Sequence, residues 1–129
     1  MRLFLDSCQA QEIKQALSSG FLSGVTTNPH LLAKSPDVTL DSLTKMASLS
    51  DVPFNIQVCS EKASEMVEQG VKLSKIAKNI VVKVPLTTEG LRACRALSEK
   101  EIPVNVTLCF SVAGALLAAQ AGAQYVSPF

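Results

Sequence analysis

A lysine inside an apolar run is the residue of this chain best suited to covalent chemistry. Lys83 stands in Ile80-Val81-Val82-Lys83-Val84-Pro85, whose β-branched residues read as a fully buried strand. Burial disfavours an ammonium ion, so an amine held among valines has a lowered pKa and can attack a carbonyl near neutral pH to form a Schiff base. The same window suits a lysine on an edge strand that reaches to water and blunts sheet pairing. The rest of the chain weighs toward the first reading, because polar residues stand at the ends of the other apolar runs. They are Asp6, then Thr26, Thr27 and Asn28, then Asn55 and Gln57, then Asn105 and Thr107, then Ser127. Side chains two apart share one face of a strand, so Asn55 with Gln57, and Asn105 with Thr107, can point into a common space. A lysine imine withdraws electrons from a ketone and lets the adjacent C–C bond break to an enamine. A carboxylate would shuttle the hydroxyl proton, and neutral amides and hydroxyls would hold a polyol. Each residue also has a plainer reading. Asp6 suits the N-cap of the first helix, Asn28 a cap alone, Gln57 and Thr107 partners for buried backbone groups, and Asn105 a strand edge or turn.

The elements that must position these groups alternate. Apolar strands are expected at Leu3 to Asp6, Gly24 to Thr27, Phe54 to Val58, Ile80 to Val84, Val104 to Thr107 and Tyr125 to Ser127, with helical patterns between them. The first helix is expected over Cys8 to Ser18. A second starts at Asn28-Pro29, with Asn28 as N-cap and Pro29 supplying a preset first-turn φ; after a turn at Ser35-Pro36-Asp37 its stripe continues through Leu40, Leu43 and Ala47. A third opens at Ser60 with Met66, Val67 and Leu73 on its apolar face, a fourth runs from Thr87 to Ser98, and a fifth, rich in alanine and glycine, from Ser111 to Ala121. Short apolar strands each followed by a helix indicate a parallel sheet, either open and doubly wound or part of a (β/α)8 TIM-type barrel. No G-x-G-x-x-G or P-loop spacing is present, which favours the barrel. The barrel would place its chemistry at the C-terminal ends of the strands, where the polar residues stand.

Bulk composition narrows the function classes. With 129 residues, 47% of them apolar, the chain can bury one substantial core and reads as a single α/β domain over residues 1–129. Twelve basic and eleven acidic residues without a charge block give no footprint for nucleic acid or an anionic membrane surface. Asp6 interrupts the N-terminal apolar run, and the stretch from Ala113 to Ala119 is too short to span a bilayer, so a soluble, cytoplasmic protein is expected. Cys8, Cys59, Cys94 and Cys109 show no metal spacing and His30 is the single histidine, so neither zinc nor a structural disulfide is expected. Cys59, Cys94 and Cys109 read as small buried hydrophobes.

Taken together the motifs resemble the transaldolase family, in particular its short branch that includes fructose-6-phosphate aldolases. The matching segments are Leu5-Asp6, Gly24-Val25-Thr26-Thr27-Asn28-Pro29, Ile80 to Pro85 with Thr88-Glu89-Gly90-Leu91, Ile102-Pro103 with Asn105-Val106-Thr107, and Ala121-Gly122-Ala123 through Tyr125-Val126-Ser127-Pro128-Phe129. The resemblance implies Lys83 as the Schiff-base lysine, Asp6 as acid/base, and Gln57 and Thr107 as holders of the catalytic water. It implies Asn28, Thr27, Asn105, Ser127 and Phe129 as substrate-binding residues. Ketose phosphates such as fructose 6-phosphate or sedoheptulose 7-phosphate would be the donors, and no cofactor or metal would be needed. A transaldolase passes the three-carbon unit to an aldose phosphate, whereas the aldolase branch releases dihydroxyacetone. Phe129 and Asn105 resemble the transaldolases and Gln57 resembles the aldolases, which leans the reading to transaldolase. Family members continue beyond Ser-Pro-Phe into a phosphate-binding arginine and two further βα units. The expectation is therefore an incomplete barrel of about six strands and five helices, with unpaired edges that favour a homo-oligomer, and a catalytically silent fragment as the alternative.

Overall fold

The computed structural model describes residues 2–129. Strands β1 (Leu3–Asp6), β2 (Leu22–Thr26), β3 (Phe54–Gln57), β4 (Ile80–Pro85), β5 (Val104–Cys109) and β6 (Tyr125–Pro128) form one sheet in sequential order. Every pairing is parallel. Helices α1 (Ala10–Ser18), α2 (Pro29–Ala33), α3 (Leu40–Ala47), α4 (Ala63–Ser74), α5 (Thr88–Ser98) and α6 (Val112–Gln120) make the crossovers and cover one face. The sheet curls into a half-barrel: Phe4 on β1 and Tyr125 on β6, strands at its opposite ends, meet edge to face with ring centroids 5.9 Å apart.

The period of two along each strand separates an outer, helix-facing layer from an inner one. Val25, Phe54, Ile56, Ile80, Val82, Val84, Val104 and Val106 are buried in the core, where they meet Ile13, Met66, Ala93, Leu97 and Ala118 of the helices. The alternate set, Thr26, Gln57, Lys83, Asn105, Thr107 and Ser127, faces inward. Gly24 belongs to that inner set because the Phe4 ring lies where a Cβ would stand. Gly90, in the first turn of α5, lies against the Pro85 carbonyl in the same way, so the helix can start directly after β4.

Helix starts follow their local chemistry. Asn28, Thr39, Thr87 and Ser111 cap α2, α3, α5 and α6, each accepting a backbone N–H from the residue three further on. The second expected helix divides into α2 and α3. Pro36 disfavours helical dihedrals at Ser35, and Thr39 then starts α3 with a reciprocal capping box to Ser42. The structure thus has six described helices against five expected. Helix α4 begins at Ala63, not Ser60. Ser60 instead accepts a hydrogen bond from Gln69 and donates one to Glu65. Cys8, Cys94 and Cys109 are buried free thiols, and burial pushes Cys94 up to about 11. Cys59 is exposed, contrary to expectation, because it lies beyond the end of β3. No helix of the described residues is long and apolar enough to cross a membrane.

Candidate active site

Lys83 is 7% exposed and lies in the middle of the sheet, its strand paired on both sides. The edge-strand reading therefore does not hold. Its Nζ donates to Thr26 Oγ1 at 3.1 Å and to the Thr27 carbonyl at 3.3 Å. Both acceptors are neutral. The described ion pairs, Lys62–Glu65, Lys72–Glu68 and Arg92–Glu89, are on exposed helix surfaces, and none includes Lys83. Burial lowers the Lys83 pKa from its ordinary value, and the attraction of Asp6 opposes that shift only in part. A neutral amine has two N–H groups to donate and one lone pair. Two acceptors on the wall engage two of the Nζ hydrogens in either protonation state and leave the remaining position of Nζ toward the cleft, where the deprotonated amine would present its lone pair.

Asp6 is released for this site by its neighbours. Gln9 is the N-cap of α1, and Ser7 serves the first turn, accepting from Gln9 N and donating to Glu12. The Asp6 carboxylate instead accepts from Asn28 Nδ2, at 3.4 Å to Oδ1 and 3.3 Å to Oδ2. Asn28 does two things at once. Its Oδ1 accepts Leu31 N at 2.9 Å as the cap of α2, and that bond turns the amide N–H groups toward Asp6.

A cleft of about 620 Å³ opens at the C-terminal ends of the strands. Of the residues expected from the sequence, it brings together Asp6, Asn28, Gln57, Lys83, Thr107, Ser127 and Phe129. A second, apolar cavity of about 310 Å³ between α2, α3 and α4 shares only Gln57 with it. Two expected residues do not line the cleft. Thr27 has the parity of Val25, on the helix side, and is fully buried with its hydroxyl donated to the Asn55 carbonyl at 2.9 Å. Asn105 lies one layer below, where it lines a cavity of about 120 Å³ beneath Ser127.

Thr26, Pro29, His30, Leu108 and Pro128 also line the cleft, and none of them was assigned a site role from the sequence. Thr26 stands in the row of polar strand ends, and its parity with Gly24 and Asn28 is the signal that could have assigned it one. Leu108 carries no such signal. It has φ +60° and forms a bulge between Thr107 and Cys109, which brings two consecutive side chains, Thr107 and Leu108, to the cleft. Phe129 stacks on Phe110 at the rim, ring centroids 5.2 Å apart and nearly parallel. Among the described residues no group of three or more His, Cys, Asp or Glu side chains is placed to hold a metal.

In fold the chain is similar to the carboxyl transferase domain of Rhizobium etli pyruvate carboxylase. The TM-score is 0.61 over 98% of this chain and 26% of that one, at 14% identity. It is also similar to an enolase from Bradyrhizobium, with a TM-score of 0.58 over 97% of this chain and 37% of that one, at 17% identity. At such identities the likeness is one of fold. Sequence comparison is more specific. Probable transaldolases of Caldicellulosiruptor saccharolyticus, Caulobacter vibrioides and Clostridioides difficile are 50%, 48% and 49% identical over all of this chain. The chain spans 59%, 59% and 60% of the length of those relatives. The transaldolase/fructose-6-phosphate aldolase pattern matches residues 3–129, and with the half-barrel and the lysine cleft in place the chain belongs to that family.

Proposed function

We propose that this chain carries the Schiff-base half of a transaldolase site, which moves a dihydroxyacetone unit from a ketose phosphate to an aldose phosphate. The observation that carries the reading is Lys83, desolvated, hydrogen-bonded only to neutral oxygens, and opening with Asp6 onto one cleft.

In this mechanism the Nζ lone pair attacks the ketone carbon, and loss of water leaves an iminium. The C3–C4 bond then breaks, its electron pair moving toward the iminium nitrogen to give an enamine. The C4 hydroxyl proton passes to Asp6 and the aldose phosphate leaves. Attack of the enamine on an incoming aldehyde reverses the sequence: a C–C bond forms and Asp6 returns its proton to the new alkoxide. Water, positioned by Gln57 and Thr107, finally hydrolyses the imine. Asn28 serves two partners, holding Asp6 and a substrate hydroxyl. No metal or organic cofactor takes part in these steps.

Phe129 supports transfer over release. It presents a hydrocarbon ring at the rim and offers the enamine no acidic group. The protein carrying this chain is expected to convert fructose 6-phosphate and a four-carbon aldose phosphate into a seven-carbon ketose phosphate, and to release little free dihydroxyacetone. Release without transfer would assign the aldolase activity instead. Neither product, with wild type matching Lys83→Arg, would refute the reading.

A further inference from the structure

We propose that Asn55, which never meets the cleft, is a positioning residue that turns Ser127 into a hydrogen-bond acceptor facing the substrate. This rests on the Schiff-base reading of the same cleft and adds to it a relay running beneath Lys83.

The direction of the relay is forced by an atom that cannot be reversed. The Val25 carbonyl is a backbone acceptor, and Asn55 reaches it at 3.0 Å, so the Asn55 side chain must present Nδ2 there. Its Oδ1 is then turned toward Asn105, which must answer with its own Nδ2, at 2.9 Å. That leaves Asn105 Oδ1 facing Ser127, whose hydroxyl donates to it at 3.0 Å. Ser127 has one hydrogen, and this bond uses it. The lone pairs that remain on Ser127 Oγ border the cleft, so the group they accept from is a donor: a hydroxyl of the bound ketone.

Asn55 is well suited to anchor such a chain. It is fully buried, on β3 between the strands of Val25 and Lys83. Its own carbonyl is held twice by Thr27, through the backbone N–H at 2.9 Å and the hydroxyl at 2.9 Å. Asn105 is 4% exposed, engaged at both ends of its amide, and does not line the cleft. Its part is therefore to transmit orientation. Val81, the residue of β4 paired with Asn55, offers no polar group, so the relay crosses from β3 to β5 without involving the lysine strand.

The test uses borohydride trapping at Lys83 with two ketones, dihydroxyacetone and acetone, the second having no hydroxyl to give. Ser127→Ala is expected to lower the ratio of the two trapping rates by about threefold to tenfold, the equivalent of one hydrogen bond. Asn55→Leu, which keeps the branched outline without a polar atom, and the smaller Asn55→Ser are expected to lower the same ratio although neither touches substrate. Combining either with Ser127→Ala should add little, because the two act through one bond. A residue that merely supports the fold would change trapping of both ketones alike.

Folded Asn55 variants that keep the wild-type ratio while Ser127→Ala lowers it would overturn the proposal, as would a ratio insensitive to Ser127→Ala. A wild type that traps neither ketone would refute the Schiff-base reading itself. The relay is also read without catalysis or variants, from hydrogen exchange of side-chain amides in the wild-type protein. Those of Asn55 and Asn105 are expected to exchange far more slowly than that of Gln57, and equal rates would overturn the proposal.

Discussion

Replacing Lys83 by methionine removes a buried titratable group at nearly constant shape, and its effect on stability should depend on pH in a definite direction. In the folded protein burial lowers the Lys83 pKa below its ordinary value of 10.5, and the unfolded chain restores it. Between those two values the unfolded chain binds more protons than the folded one, so wild-type stability rises with pH there. The cost of burying the charge is fully present below the folded pKa and gone above about 10.5. Lys83→Met has no such group, and its other ionisable residues cancel in the comparison. Within the window the wild type should gain on the variant by up to about 1.4 kcal/mol per pH unit. An unfolding entropy of about 2.1 cal/mol/K per residue over 129 residues turns that into about 5 °C of Tm per pH unit. The two hydrogen bonds lost to Thr26 and Thr27 offset the whole curve but not its slope. Thermal and denaturant melts of both proteins from pH 6 to 10.5 read the difference. A difference that is flat, or that falls as pH rises, would refute the claim that Lys83 is desolvated.

Three further outcomes follow from the same geometry. Asp6→Asn removes the attraction that raises the Lys83 pKa, so the onset of ketone trapping should move to lower pH while turnover falls by about 10²–10⁴, and an onset moving upward would contradict the assignment. Gly90→Ala places a methyl group on the Pro85 carbonyl, a backbone atom with nowhere to go, and should cost about 1–3 kcal/mol or more by chemical denaturation. Helix α6 carries no charge and leaves Val112, Leu116 and Leu117 exposed beside Phe110 and the β6 edge, so self-association is proposed; sedimentation at micromolar concentration should show oligomers that Leu116→Glu weakens, and a clean wild-type monomer would count against it.

Much of this arrangement was legible residue by residue. The strands and their polar ends could be read because a buried parallel strand shows as a short β-branched run, and a polar residue in it stands out. Asn28-Pro29 was readable as a helix start because cap and first-turn proline act within four residues. What depended on the third dimension was not readable. Thr27 was taken for a substrate contact within Thr26-Thr27-Asn28, yet parity along β2 turns Thr26, and not Thr27, to the cleft. Asp6 had the composition of a cap, and only the structure shows Ser7 and Glu12 serving the first turn of α1 in its place. Asn105 was placed on the correct face but a layer too high, since depth within a barrel is fixed by register with β4 and β6. The bulge at Leu108 leaves no trace in composition, because its left-handed backbone is imposed on a leucine where glycine or asparagine would have signalled it.

Borohydride reduction in the presence of fructose 6-phosphate, followed by peptide mass spectrometry, decides whether Lys83 forms an imine with a ketose in this cleft. One reduced dihydroxyacetone unit is expected on the peptide bearing Lys83, at a rate that rises with pH as the amine loses its proton. A folded protein whose Lys83 stays unmodified, or whose adduct is on an exposed lysine such as Lys72 or Lys75, would contradict that expectation.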